Sequence, residues 1–249
     1  MRLAVKTGAW TPTPVEWRRA VEIVESCEPT EIVRIMRLKI EEDRKRSLVG
    51  RLLLRHACSV HSGVEFDKVR LERTDRNKPI CLDIDKGQVN ISHHGDWVVL
   101  ASDYSRCVGV DVMRHEEPRR GREAFFHSMQ RQFTVNEWKE IDQSLHKFYR
   151  FWALKESYIK GIGSGLGFNL QRANFIFDDG ENKAVVEIDG VLDKDWEFEM
   201  LELDEMHCVA VALGPPLGGG GIQQLDTTGT KSGFQILTVV DLLLKFGEL

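Results

Sequence analysis

The segment 151–167, FWALKESYIKGIGSGLG, is the most informative in the chain: Lys155, Glu156 and Lys160 fall in a helical pattern that ends at the first glycines. Glu156 and Lys160 are four residues apart and share one helix face. Taken alone, such a pair is a solvated contact worth about 0.3–0.5 kcal/mol. A second carboxylate changes its meaning. Asp111 lies in CVGVDVM, a strand pattern whose other residues are apolar, so its side chain faces either solvent or a site. If Asp111 and Glu156 converge, their hard oxygens make part of a Mg2+ site, with waters and a substrate pyrophosphate completing the octahedron. Phosphoryl transfer needs that arrangement.

Other side chains would serve a phosphate-rich ligand. Asn90-Ile91-Ser92-His93-His94 closes a strand pattern and enters the turn Gly95-Asp96, which puts donors at a sheet rim. Adjacent strand residues point to opposite faces, so at most one of His93 and His94 serves a site. Basic residues recur at Arg34, in Arg73-Thr74-Asp75-Arg76-Asn77-Lys78, and at Arg114, Arg119, Arg120 and Arg122. A single charge run is a solvated face, whereas a polyphosphate requires several runs brought together. The glycines of GIGSGLG do not form a dinucleotide loop: Leu166 stands where the third glycine is required, and the loop follows its helix instead of opening one. No G-K-[ST] or G-x-S-x-G motif occurs, which excludes a P-loop and a hydrolase elbow.

The elements that must position these residues read as follows. Helices are expected over 14–26 and 31–61, then strands over 68–73, 88–92 and 97–102. From residue 107 the order restarts with the strand CVGVDV, helices over 134–144 and 147–162, and strands near 174–177, 196–203 and 207–213. HHGDWVVLAS in the first half resembles DEMHCVAVAL in the second. The expected fold is therefore α+β, an α/β-sandwich-like pair of pseudo-symmetric halves. Each half would pack helices on a small, mostly antiparallel sheet, with a ligand cleft between the halves. The boundaries are 1–106, 107–213 and a third segment, 214–249, that opens as a linker at GPPLGGGG. Its final run, FQILTVVDLLLKF, suits an edge strand or a docking helix.

The 249 residues carry a net charge of −5 and 42% hydrophobic side chains, enough for a substantial core and a poor match to an electrostatic nucleic-acid binder. The five cysteines show no C-x-x-C spacing, so reduced thiols in a cytosolic protein are expected. Residues 1–20 lack an apolar core for a secretory signal, and no run approaches the roughly 20 apolar residues of a membrane span.

Asn90-Ile91-Ser92-His93, Val108-Gly109-Val110-Asp111 and Trp152-x-x-Lys155-Glu156-Ser157-x-x-Lys160, followed by Gly-x-Gly-x-Gly, together resemble the surfactin-type phosphopantetheinyl transferases. The similarity covers about residues 10–213, through EWRRAV, VRLERT, HHGDWVVLAS, EAFFHSM, FYRFWALKES and GLGFNLQR in that order. It implies two similar halves with coenzyme A between them. It also implies transfer of the 4'-phosphopantetheine group to a carrier-protein serine, with loss of adenosine 3',5'-bisphosphate. By position, Asp111 and Glu156 would hold Mg2+. Arg34, residues 73–78 and residues 90–93 would contact coenzyme A, and Lys155 or Lys160 would neutralise phosphate. Glu156 is the expected base, with a metal-bound water as its rival. Many members have a second acid two residues after the aspartate; Met113 stands there, leaving a water or His94 as third metal contact. Implied partners are apo carrier domains of fatty acid synthase, a mitochondrial acyl carrier protein and an aminoadipate-reducing enzyme. Two halves in one chain let a monomer build the site. A non-enzymatic binder of coenzyme A or carrier protein is the alternative, and retention of both acids speaks against it. Another Mg2+-dependent phosphotransfer or phosphate-ester hydrolase would need no carrier protein.

Overall fold

The computed structural model of the protein describes residues 1–74, 77–84, 88–119, 121–178, 180, 182–217 and 233–247. They form two units, Met1–Ser105 with Leu217–Leu249, and Arg106–Pro216. In the first, β1 (Arg2–Lys6) leads into α1 (Pro14–Cys27), whose start is set by Pro14 at its first position and a capping box between Thr13 and Glu16. The single helix expected over 31–61 is two, α2 (Pro29–Met36) and α3 (Glu41–Ser62). Ile40 is extended at the break, and Glu41, Glu42 and Asp43 then start α3 with negative charge where the helix dipole favours it. Gly63, at φ 72°, ends α3.

A short hairpin follows, β2 (Leu71–Arg73) with β3 (Pro79–Cys81), and then β4 (Gln88–His94) and β5 (Trp97–Asp103), joined at the expected Gly95-Asp96 turn. Beneath the first hairpin, buried Arg55 donates to the carbonyls of Phe66 and Val69 at 2.8 Å each and to Glu28 Oε1 at 3.2 Å. Arg51 bonds the other Glu28 oxygen. This network ties the chain entering β2 to α3.

In the second unit, β6 (Arg106–Arg114) is followed by α4 (Arg122–Met129), α5 (Val135–Ile141) and α6 (Leu145–Ile162). Strands β7 (Ala173–Phe177), β8 (Lys183–Ile188), β9 (Val191–Asp204) and β10 (His207–Pro216) complete it. Its sheet runs β6-β10-β9-β8-β7, every pair antiparallel. The chain then returns to the first unit with β11 (Gln235–Leu237) and α7 (Val239–Leu243). Strand β11 pairs in parallel with β1, giving the order β11-β1-β5-β4. Val239, Leu242 and Leu243 of α7 enter the first core. The C-terminal run is thus both a strand and a helix, and it belongs to the first unit. Of the expected linker, residues 214–216 continue β10, and 218–232 lie outside the described residues.

The internal repeat holds at the level of topology. Each unit has a leading strand (β1, β6), a long helix after it (α3, α6), and a later strand (β5, β10) between the leading strand and its hairpin neighbour (β4, β9). Two separate cores result, one around Leu48, Leu52 and Leu100, the other around Phe148, Phe151 and Phe198.

Candidate active site

Helix α6 carries the densest chemistry and is placed with little freedom. Ser144 caps its start by accepting from Lys147 N, and Gly163, at φ 67°, ends it. Phe148 and Phe151 bury its inner face among aromatic rings. It lies so close on β6 that a Cβ at Gly109 would stand 1.9 Å from Ser157 O and 2.6 Å from Gly161 N. Gly161 in turn abuts Trp196, which also fills the space beside Gly214. Gly109→Ala must therefore push α6 off the strand, with an expected stability loss of about 1–3 kcal/mol or more, read by urea denaturation.

This close approach decides the direction of Asp111. Gly109 faces α6, and the residue two places along a strand shares that face. Asp111 accordingly points at the helix, is 5% exposed, and accepts from Lys160 Nζ at 2.6 Å. The solvent-facing alternative is excluded. Glu156 sits one turn before Lys160. Burial raises its carboxyl above the usual range, the Asp111 charge adds to that, and Lys160 partly offsets it. Because Lys160 bonds Asp111 and Glu156 lies one turn before Lys160 on the same helix face, both carboxylates lie on the side of α6 that meets β6. Two hard carboxylates beside one lysine form an oxygen donor set that suits Mg2+. Met113 is half-buried and offers no oxygen.

Lys155 is a correction. Its side chain has no exposure: Nζ pairs with Glu137 Oε2 at 2.8 Å and donates to Leu170 O and Ala173 O at 2.9 and 2.7 Å. It also lies over the rings of Phe133 and Phe175. Burial lowers its pKa, with Glu137 opposing. With every donor directed into the protein, it binds the 170–173 segment rather than a phosphate. Glu137 was not singled out in the sequence, although Thr134-x-x-Glu137 carries a capping-box signature. Besides capping α5 it accepts from Phe175 N at 3.0 Å.

In the first unit, Glu31 organises two of the expected ligand-binding arginines. Arg73 donates to both Glu31 oxygens, at 2.6 and 2.9 Å, and Arg34 donates to Oε2 at 3.0 Å. Arg73 chiefly holds the Glu31 carboxyl down to about 2. Arg34 is half exposed. The β2–β3 turn is closed by Thr74 N on Lys78 O at 2.9 Å and Asn77 N on Thr74 O at 2.8 Å, with Asn77 at φ 62°. Lys78 Nζ reaches Gln88 Oε1 on β4 at 3.2 Å, joining this turn to the strand of Asn90, Ile91, Ser92 and His93. Asn90 and Ser92 are buried, His93 is exposed, and His94 is half-buried at the strand end. Asp75, Arg76 and Arg120 lie outside the described residues. Arg122 is paired with Glu117.

A family model described as 4'-phosphopantetheinyl transferase, N-terminal, matches residues 8–105, and one described as the 4'-phosphopantetheinyl transferase superfamily matches residues 107–212. The chain is 38% identical over 265 residues to the L-aminoadipate-semialdehyde dehydrogenase-phosphopantetheinyl transferase of Rattus norvegicus, covering 98% of this chain and 85% of that protein. It is 37% identical to the phosphopantetheinyl transferase of Thraustochytrium sp., over 84% of this chain and 77% of the relative. The 4'-phosphopantetheinyl transferase Sfp of Bacillus subtilis is 26% identical over 66% of this chain and 72% of its own length.

Proposed function

Because the chain belongs to the 4'-phosphopantetheinyl transferase superfamily, it is a phosphopantetheinyl transferase, and we propose that its donor is coenzyme A and its acceptor a serine of an apo carrier protein. Adenosine 3',5'-bisphosphate is the leaving product. The observation that supports this reading best is the Asp111–Lys160–Glu156 constellation on β6 and α6.

Asp111 and Glu156 would hold Mg2+, with waters as its further contacts. When bound, the ion would neutralise pyrophosphate charge as the bridging P–O bond breaks. Glu156, one turn before Lys160 on α6, takes the serine proton. Lys160 holds Asp111 at 2.6 Å and presents its cation to the charge that develops on phosphate oxygens. Arg34, Arg73, Thr74, Asn77 and Lys78, with Asn90 to His93 on β4, bind coenzyme A. Glu31 aims Arg73 as a positioning residue. Glu31→Gln is therefore expected to raise the KM for coenzyme A about tenfold or more with kcat retained, read from initial rates.

The acceptors are carrier domains of fatty acid synthase, a mitochondrial acyl carrier protein and an aminoadipate-reducing enzyme, so the activity includes holo-[acyl-carrier-protein] synthesis by a cytosolic monomer. No helix among the described residues is long and apolar enough to cross a membrane, and all five cysteines are free. The test is intact-mass spectrometry of an apo acyl carrier protein incubated with the protein, coenzyme A and Mg2+. A gain of one phosphopantetheine unit that disappears with EDTA is expected. Coenzyme A binding without any mass gain on several carriers would favour the non-enzymatic binder.

A further inference from the structure

A second group of ligating side chains lies in the Arg106–Pro216 unit, away from Asp111 and Glu156. His115 directly follows β6, His146 is in the first turn of α6, and Glu202 is on β9. His146 precedes Glu156 by ten residues, about 15 Å along the helix. One ligating atom from each of His115, His146 and Glu202 lies within 4.8 Å of the others. His146 Nε2 is 3.6 Å from Glu202 Oε1, and the His115 and His146 rings meet edge to face at 4.8 Å.

An ordinary His–Glu ion pair does not account for His115. Its Nε2 is buried and has no hydrogen-bond partner among the described residues. Its ring is held in place, stacked on Tyr149, whose hydroxyl donates to Glu116 O at 3.0 Å. The surroundings supply an outer shell. Arg150 donates to Glu202 Oε1 at 3.2 Å and orients that carboxylate.

We propose that His115, His146 and Glu202 form a transition-metal site that takes Zn2+ through two imidazoles and a carboxylate, with water in the fourth position. Zinc bonds of about 2.0–2.1 Å bring neighbouring ligand atoms to roughly 3.4 Å. The His146–Glu202 separation is already near that, and rotation of these two half-exposed side chains closes the rest. Imidazole nitrogen selects this site for Zn2+, while the all-oxygen pair Asp111 and Glu156 selects Mg2+. Its role is a clamp that fixes the end of β6 and β9 to the start of the helix whose far end carries Glu156 and Lys160.

The test uses untagged, chelator-stripped full-length protein titrated with Zn2+ in excess Mg2+, in competition with a chromophoric chelator. One Zn2+ should bind, with affinity at least about 10- to 100-fold weaker in H115N/H146N and in E202Q. Co2+ should give visible d–d bands without a thiolate charge-transfer band, and Zn2+ should raise the melting midpoint of the wild type but not of the double variant. Transfer to carrier protein with Mg2+ should persist in both variants, which separates this site from the proposed reaction. No stoichiometric Zn2+ binding, unchanged affinity in both variants, or a thiolate band with Co2+ would overturn the assignment.

Discussion

Asp111→Asn is expected to lower the turnover of phosphopantetheinyl transfer by about three orders of magnitude or more while leaving the protein folded. The change keeps the side-chain volume on the β6 face that meets α6, so packing around Gly109 is undisturbed. It removes the charge that holds Lys160 at 2.6 Å and one of two carboxylates available to a divalent ion. Glu156→Gln should be comparably inactive, for loss of the proposed base, and carries an opposite signature in stability. Burial and Asp111 raise the folded pKa of Glu156 above its unfolded value near 4.5, so its ionisation opposes folding. That cost is absent below the unfolded pKa and complete above the folded one. Without divalent metal, Glu156→Gln should thus melt higher than wild type near neutral pH, and the difference should vanish as the pH falls below about 4. Single-turnover rates by intact mass, with melting curves at both pH values, check the pair. Full turnover in Glu156→Gln would assign the proton to another acceptor, and a lower melting point near neutrality would show the carboxylate to be stabilised by a partner.

The placement of the second unit's candidate residues was legible because they lie on regular elements. Glu156 and Lys160 are one helical turn apart, and Asp111 breaks an apolar strand pattern. What alternation could not supply was the direction of Asp111, since both faces of β6 are apolar in sequence. Gly109 settles it, because only a residue without a side chain lets α6 approach, and that requirement appears only once strand and helix meet. The split at residues 37–40 escaped for a related reason: the interruption at Arg37–Ile40 contains neither glycine nor proline and interrupts an otherwise helical charge pattern. Strand β1 and the return of β11 and α7 depend on pairing between residues more than 200 apart, which no local pattern encodes. Glu31 illustrates the same limit in the first unit. It reads as an ordinary first-turn acid of α2, yet it gathers Arg34 with Arg73, 39 positions away in the sequence.

Lys155 adjoins Glu156 in the motif, and its replacement should nevertheless fail in a different way. Lys155→Met or Glu137→Leu leaves a buried charge without its partner, which costs about 3–5 kcal/mol in such settings. The loss should be large here because Lys155 Nζ also satisfies the carbonyls of Leu170 and Ala173, and Glu137 also satisfies Phe175 N. The double variant Lys155→Met/Glu137→Leu removes both charges and should recover part of the loss, the remainder reflecting those orphaned backbone groups. A phosphate contact predicts the reverse pattern. It would raise the KM for coenzyme A, leave urea denaturation near wild type, and show no coupling to residue 137. A double-mutant cycle on denaturation free energy, run beside KM measurements in conditions where each variant is folded, separates the two roles. Strong coupling with an unchanged KM makes Lys155 the fastener of the 170–173 segment. The lysine of the motif that meets substrate is then Lys160, whose Nζ already lies against Asp111.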